Sequence, residues 1–254
     1  MRVVVTAGAS GIGKAMAEAF LAHGAEIAIC DVDTRALESF TTAHPGALAL
    51  EADVAHEAAM DAFFDQIEHT WNAGPDVLCA NAGTSGETGG IETLDHDQWK
   101  SCIAVNLDGA FLAIRRAVRT MKPRREGLVV ITSSSAGLMG YANRAPYASA
   151  KWALIGLMKS LAIELGPFGI RVNALCPGMV SGERAERVIE KEAAAYGISA
   201  DEAREIYTAG VSLRTWIEPE EVAAMAVYLA SPGGRKISGQ AIAIDGHTET
   251  LSRS

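Results

Sequence analysis

Tyr147 and Lys151 bracket the run Tyr147-Ala148-Ser149-Ala150-Lys151. On a helix, residues four apart share one face, so the phenol and the ammonium meet. A phenol exchanges protons, but its ordinary pKa of about 10 is too high for a good base near neutrality. A fixed positive charge beside it favours the phenolate. The pair is suited to taking the proton of an alcohol or returning one to a carbonyl oxygen. The spacing also occurs by chance on many helices, so its meaning depends on what else the chain carries.

A second constellation opens the chain. Thr6-Ala7-Gly8-Ala9-Ser10-Gly11-Ile12-Gly13 follows an apolar run and precedes a helical pattern. Glycines there allow a tight turn and close backbone approach to a pyrophosphate, with free N–H groups and the positive dipole end at the helix start. Asp31 follows at the distance expected of an acid that binds ribose hydroxyls. A carboxylate there would repel the extra phosphate of NADP, so the predicted cofactor is NAD, with NADP the lesser alternative. The competing reading makes Asp31 a cap for the next turn, beside Asp33. Arg35 is the nearby base that could oppose NAD, and its place in the pattern is that of an exposed helix residue.

Short strand-like runs alternate with helical patterns and position these groups. Val3 to Thr6, Ile27 to Cys30, Ala47 to Leu50, Asp76 to Ala80, Leu128 to Thr132, Ile170 to Leu175 and Ala241 to Ile244 read as strands. Helices are expected at Gly13 to His23, Thr34 to Ala43, His56 to Trp71, Leu94 to Met121 (one long, bent helix) and Tyr147 to Leu165. The strands are apolar on consecutive residues, which marks strands buried on both faces. The expectation is a Rossmann-type, doubly wound parallel sheet in a three-layer α/β/α single domain, residues 1–254. Residues 179–216 break the rhythm with charged helical sequence. Leaving the carboxyl end of a core strand, they are expected to form a substrate lid, the competing reading being a solvated helical pair.

With these motifs in order, the sequence resembles the short-chain dehydrogenase/reductase family, in the branch of about this length, from Thr6 to Asp245. The family's glycine motif is T-G-x-x-x-G-x-G, and here Ala7 stands at the first glycine with Gly8 after it. Asp53-Val54 resembles the family's adenine-contacting pair. Asn81-Ala82-Gly83 resembles N-N-A-G with Ala80 in place of the first Asn. Tyr147 to Lys151 is its Y-x-x-x-K, and Pro177-Gly178 its turn beside the nicotinamide. The threonine that often follows that turn is replaced by Gly182, leaving Ser181 or backbone to make its contact.

The resemblance implies a catalytic set of Asn106, Ser134, Tyr147 and Lys151. Ser133 and Ser135 flank Ser134, and spacing to Tyr147 favours Ser134. Ser134 would hold the substrate oxygen, Asn106 would position a water near Lys151, and Lys151 would also bind the nicotinamide ribose. The implied cofactor-binding set is Gly8, Ser10, Gly11, Ile12, Gly13, Asp31, Asp53, Val54, Asn81, Ala82, Gly83, Tyr147, Lys151, Pro177, Gly178 and Val180. No metal is implied.

The chain has 254 residues, 49% hydrophobic and 21% charged, with net charge -9. That charge argues against non-specific nucleic-acid binding and against docking on anionic membranes. Cys30, Cys79, Cys102 and Cys176 are dispersed, as in reduced cytosolic proteins. Strand-like residues from Arg2 onward leave no signal peptide to be expected, and no apolar run approaches the roughly 20 residues of a membrane span. A cytoplasmic location follows as an expectation.

The predicted reaction is hydride transfer between NAD and a secondary alcohol: a polyol, sugar or hydroxy acid. Leu138 and Met139 are expected as an apolar wall. Asn143, Arg144, Arg184, Arg187, Tyr207 and His247 are expected near the pocket, with Arg144 or Arg184 able to pair with an anionic substrate group. Reduction of a 3-oxoacyl thioester or other ketone is the alternative within the family. A non-catalytic NAD-binding sensor is the alternative outside catalysis, and retention of Tyr147 and Lys151 argues against it. An epimerase or dehydratase with tightly bound NAD would need a larger substrate domain than this length provides. The resemblance implies as partners a small-molecule substrate and further copies of the chain, as a homotetramer, with a homodimer second.

Overall fold

Val3, Val4 and Val5 have no exposed surface, and a sheet covered on both sides explains why three consecutive residues can be buried. Val4 packs with Phe64, Leu112, Met121 and Leu154 on one side. Val3 and Val5 pack with Met16, Phe20, Phe40 and Leu229 on the other. The computed structural model describes residues 1–248, apart from the side chains of Arg184 and Ala195.

The strands are β1 Arg2–Thr6, β2 Glu26–Asp31, β3 Leu48–Glu51, β4 Val77–Ala80, β5 Gly127–Thr132, β6 Ile170–Pro177 and β7 Ala241–Ile244. All pairings are parallel, in the order β3-β2-β1-β4-β5-β6-β7. Strand order reverses between β1 and β4, so a crevice opens there beyond the carboxyl ends. The helices are α1 Gly11–Ala22, α2 Thr34–Ala43, α3 Glu57–Trp71, α4 His96–Ile103, α5 Gly109–Arg124, α6 Ala145–Leu165, α7 Glu183–Tyr196, α8 Ala200–Ala209 and α9 Pro219–Ala230. Buried residues of α3, α5 and α6 belong to the first core, and those of α1, α2 and α9 to the second. This is the expected three-layer, single-domain Rossmann-type arrangement. No helix among the described residues is long and apolar enough to cross a membrane.

Two elements differ from the sequence expectation. The long helix from Leu94 to Met121 is interrupted by a π-helical turn, Ala104–Asp108. A π turn inserts a residue without breaking the helix, so hydrophobic spacing alone does not reveal it. The helix α9 was not anticipated. Its start has Pro219 in the first turn and a carboxylate of Glu221 accepting from the Glu218 N–H at 2.8 Å. Its Val222, Ala223, Ala226 and Leu229 bury one face, and the small residues let it lie close against α1.

The amino ends of β1 and β4 are fastened by one carboxylate. Asp76 Oδ2 accepts from Arg2 N at 2.8 Å and Oδ1 from Arg2 Nη2 at 2.9 Å, while Asp76 N donates to Arg2 O at 2.8 Å. Partial burial pushes the Asp76 carboxyl up, but the hydrogen bonds and charge of Arg2, with the charge of Arg124, outweigh it and hold it below its ordinary value. A carboxyl whose folded pKa is depressed contributes stability above its unfolded pKa and loses it as pH falls through the folded one. Asp76→Asn should therefore lower Tm at pH 7 by about 2–4 °C, the shift that ~1 kcal/mol produces in a chain of this size. The difference should shrink in acid. Differential scanning calorimetry at both pH values checks this, and a pH-independent difference would refute the electrostatic account.

Candidate active site

The carboxyl ends of β1, β4 and β5 are joined by the segment that follows β4. Thr6 Oγ1 accepts from the N–H groups of both Asn81 and Ala82 at 3.0 Å. The Asn81 amide donates to Thr6 O at 3.2 Å and Ala7 O at 3.3 Å. Its Oδ1 accepts from Thr132 Oγ1 at 3.1 Å. Thr132 O in turn accepts from Lys151 Nζ at 2.9 Å. The glycine loop and the predicted catalytic lysine are thus tied through one asparagine.

The loop itself turns on backbone conformation. Ala7 has φ 50° and Gly11 φ 51°, both in the region that side chains disfavour. Ala7 therefore keeps the turn, at a conformational cost of roughly 1–2 kcal/mol. Gly13 is required for another reason: a Cβ there would lie 2.0 Å from Ala7 O. A Cβ on Gly8 would meet Ile29 at 2.5 Å. Neither glycine lines the cavity, and both are packed closely by neighbouring residues. Ser10, Gly11 and Ile12 do line it, at the start of α1.

Asp31 ends β2 at the cavity wall. Its Oδ2 accepts from Ala9 N at 3.1 Å, and its Oδ1 from Val32 N at 2.8 Å and Asp33 N at 3.2 Å. It therefore caps the following turn and also braces the glycine loop. Arg35 is exposed on α2, as expected, while Val32, Asp33 and Ala36 line the wall beside Asp31.

At the other end, Tyr147 and Lys151 lie on α6, with Lys151 buried and its Nζ 5.6 Å from the Tyr147 ring centroid. Ser134 lines the cavity and caps a short 3-10 turn by accepting from Ala136 N at 3.2 Å. Its neighbours turn inward: Ser133 Oγ donates to Lys151 O at 2.9 Å, and Ser135 Oγ donates to Pro177 O at 3.1 Å. Asn106 sits in the π turn, fully buried, donating to Cys102 O at 2.9 Å and Thr84 O at 3.0 Å. Its Oδ1 is buried without a hydrogen bond. A Cβ on Gly83 would stand 2.7 Å from that oxygen and 3.2 Å from Lys151 Nζ. Glycine at 83 thus lets the asparagine and the lysine converge.

One cavity of about 1300 Å³ joins both ends. Asp53, Val54, Asn81, Ala82, Gly83, Pro177, Gly178 and Val180 line it. Asn106 stands behind the wall, whose surface there is Val105. Leu138, Met139 and His247 do not line it. His247 Nδ1 instead pairs with Ser212 Oγ at 2.7 Å. The side chain of Arg184 lies outside the described residues. Ser181 hydrogen-bonds Glu218.

A polar cluster that the motifs did not indicate completes the wall. Arg144, buried just ahead of α6, faces Glu192 of α7 across 3.5 Å. Tyr141 OH donates to Glu192 Oε1 at 3.1 Å and pairs with Tyr207 OH of α8 at 2.6 Å. Asn143 Nδ2 donates to Tyr196 OH at 2.8 Å. Glu192 belongs to the charged run read as solvated. Its inward position was still visible in the spacing Ala185, Ile189, Glu192, Ala193, which is one helical face.

Comparison with known proteins agrees with this geometry. A family model described as enoyl-(acyl carrier protein) reductase matches residues 6–247. The chain is 30% identical over 250 residues to levodione reductase of Leifsonia aquatica, covering 96% of this chain and 92% of that one. It is 32% identical over 256 residues to D-beta-hydroxybutyrate dehydrogenase of Rhizobium meliloti, covering 96% of each. The chain belongs to the short-chain dehydrogenase/reductase family. A crystal structure of levodione reductase superposes with TM-score 0.90 at 29% identity, covering 96% of both chains. A variant actinorhodin polyketide ketoreductase with NADPH superposes with TM-score 0.92 at 29% identity, covering 96% of this chain and 95% of that one.

The protein is accordingly an oxidoreductase of secondary alcohols or ketones, in a family that uses a nicotinamide cofactor. The cradle suits such a group: Gly13 leaves no space for a side chain, and the first turn of α1 opens onto the cavity beside Asp31. Gly13→Ala should weaken nicotinamide dinucleotide affinity by tenfold or more, since Ala7 or α1 must move. Titration calorimetry measures it; unchanged affinity in a folded variant would mean that the close approach is not needed.

Proposed function

We propose that this dehydrogenase/reductase transfers a hydride between NAD and the carbinol carbon of a secondary alcohol, with Tyr147 as the proton-transfer residue. The observation that carries the reading is the convergence of Tyr147, Lys151 and Ser134 on the cavity that Asp31 also lines. When bound, the nicotinamide supplies the redox chemistry. The chain's own residues hold the substrate and move its proton.

In oxidation, Ser134 donates a hydrogen bond to the substrate oxygen and Tyr147 accepts its hydroxyl proton. In reduction, Tyr147 returns that proton to the carbonyl oxygen. Lys151 holds its ammonium near the Tyr147 ring, and such a charge favours the phenolate that oxidation requires. The buried Asn106, facing the same point as Lys151, would order a water through which the proton reaches solvent. Ser10, Gly11 and Ile12 would bind the pyrophosphate, Asp31 the adenosine ribose, and Asp53 and Val54 the adenine. Asn81, Ala82, Gly83, Pro177, Gly178 and Val180 would enclose the nicotinamide half, with Lys151 on its ribose.

Asp31 supports NAD over NADP, because its carboxylate lines the wall with Val32, Asp33 and Ala36, where it would repel a 2′-phosphate, and Lys14, which also lines the cavity, faces Glu18 at 3.8 Å. The α7–α8 segment, within residues 179–216, supports the lid reading through Glu192 and Tyr207 over the outer cavity. Exposed Phe111 on α5 and exposed Trp152 and Ile163 on α6 support self-association, with a homotetramer first and a homodimer second. The net charge of -9 supports a small-molecule partner rather than nucleic acid or an anionic membrane. A cytoplasmic location accompanies this reading.

The test is absorbance of reduced nicotinamide while secondary alcohols are offered with NAD and then NADP, followed by ketones with the reduced cofactors. Turnover should favour NAD. Tyr147→Phe should retain NAD binding and lose turnover by about 10²-fold or more, as expected for a proton-transfer group. Asp31→Ala should weaken NAD and narrow the gap to NADP. Full activity of Tyr147→Phe would remove the mechanism, and a wild-type preference for NADP would remove the role of Asp31.

A further inference from the structure

Beyond the family reaction, the outer wall of the cavity carries its own chemistry. Arg144 precedes α6, and its guanidinium carbon lies 5.3 Å from the Tyr147 ring centroid and 5.2 Å from that of Tyr141. Any substrate held at Tyr147 must therefore extend past this residue or away from it.

We propose that Arg144, Glu192, Tyr141 and Tyr207 form the specificity element, and that they select a neutral substrate with several hydroxyl groups over an anionic hydroxy acid. This rests on the dehydrogenase reading above and narrows its substrate class.

The first reason is charge. Arg144 and Glu192 are 3% and 4% exposed, and their opposite charges cancel across the pair. A substrate carboxylate placed beside them would add a third buried charge without a counter-charge, which low-dielectric surroundings penalise strongly. Arg144, expected from sequence as a candidate anion partner, has its two terminal nitrogens engaged by Glu192 and by Ser85 O, the latter at 2.9 Å.

The second reason is the hydrogen-bond inventory. Tyr141 OH lies 3.1 Å from Glu192 Oε1 and 2.6 Å from Tyr207 OH, and all three residues line the cavity. Burial and the neighbouring Glu192 push the Tyr141 phenol well above its ordinary range. Burial, Tyr141 and Glu192 do the same to Tyr207. Both phenols thus remain protonated donors, facing a carboxylate acceptor. A hydroxyl group both gives and takes, so adjacent hydroxyls can meet donor and acceptor together. A carboxylate only accepts, and a plain alcohol presents nothing to this wall. A site built to pair with a hydroxyl rejects analogues lacking it far more strongly than an apolar pocket rejects a missing methylene.

The third reason is origin. Arg144 and Tyr141 come from the loop ahead of α6, whereas Glu192 and Tyr207 come from α7 and α8. The cluster is thus assembled from the two segments together, so the residues that would read the substrate also join the helical segment to the site.

Steady-state kinetics with NAD on xylitol, hydroxybutyrate and isopropanol test the inference. The wild type should show kcat/KM at least about tenfold higher for xylitol than for the other two. Glu192→Gln leaves Arg144 uncompensated and should shift the xylitol-to-hydroxybutyrate ratio by about tenfold or more towards the acid. Tyr207→Phe, which keeps the ring, should raise KM for xylitol by about tenfold with a smaller change in kcat. It stands in should Glu192→Gln prove unfolded by circular dichroism. Wild-type preference for hydroxybutyrate or isopropanol, or an unchanged ratio in both variants, overturns the inference and leaves the dehydrogenase reading standing. Absence of nicotinamide reduction with every alcohol, and of oxidation with the matching ketones, overturns that reading and the inference with it.

Discussion

The side chain of Asn81 is the contact on which the site's geometry depends. It donates to Thr6 O and Ala7 O on one side and accepts from Thr132 on the other. Those three residues end or follow β1 and β5, the neighbours of β4 in the sheet. A parallel sheet fixes strand spacing through its ladder, but beyond the last ladder bond nothing fixes the chain's direction. An amide supplies donors and an acceptor on a planar group, so one residue can brace both flanks. From Thr132 the brace continues to Lys151, and from Ala7 it continues to the close approach of Gly13. An aspartate at this position would lose both donors to the backbone carbonyls.

The same economy of space governs the catalytic end. The π turn at Ala104–Asp108 rotates Asn106 inward, and Gly83 leaves room for it beside Lys151. A regular helix continuing through this stretch would carry the following residues by a different angle. The π turn is therefore the local irregularity through which α4 and α5 each keep an apolar face while a polar side chain is buried between them. Its amide is satisfied by Cys102 O and Thr84 O, which locks the side chain and directs its oxygen.

The parallel sheet and the glycine-loop end of the cavity were legible in the sequence, for a physical reason. Strands buried on both faces must be apolar on consecutive residues, and a dinucleotide cradle must combine small residues with a helix start. These constraints act within a few positions, so Gly11, Asp31, Tyr147 and Lys151 could be read directly. Arg144 and Tyr207 were expected near the pocket, but the pairings of the outer cluster were not legible because its members meet only in the folded chain: Tyr141 with Tyr207, and Arg144 with Glu192, are separated by the whole of α6 and β6. Glu192 also sits in a run of exposed charges, and the inward turn of one carboxylate is decided by its apolar neighbours Ile189 and Ala193. Leu138 and Met139 failed as an apolar wall for a related reason. Proximity to Ser134 along the chain places them on the turn after it, where they stand half-buried without lining the cavity.

The cavity's charges follow the order in which a ligand would have to be read. Asp31 stands at one end, the amino end of α1 opens near the middle, and Lys151 lies buried at the other. An acid, a set of backbone donors and an ammonium in that sequence complement ribose hydroxyls, then a pyrophosphate, then a second ribose, which is the order of groups along a nicotinamide dinucleotide. The wall beyond Tyr147 is different in kind, because Arg144 and Glu192 cancel there. On the proposed reading, the nucleotide end would bind by unbalanced charge, which acts at longer range and tolerates small displacements. On the same reading, the outer end would rely on hydrogen bonds, which demand close geometry and would discriminate among substrates by the position of their hydroxyls. That division explains why the first end could be recognised from motifs, whereas the second is written in contacts between distant parts of the chain.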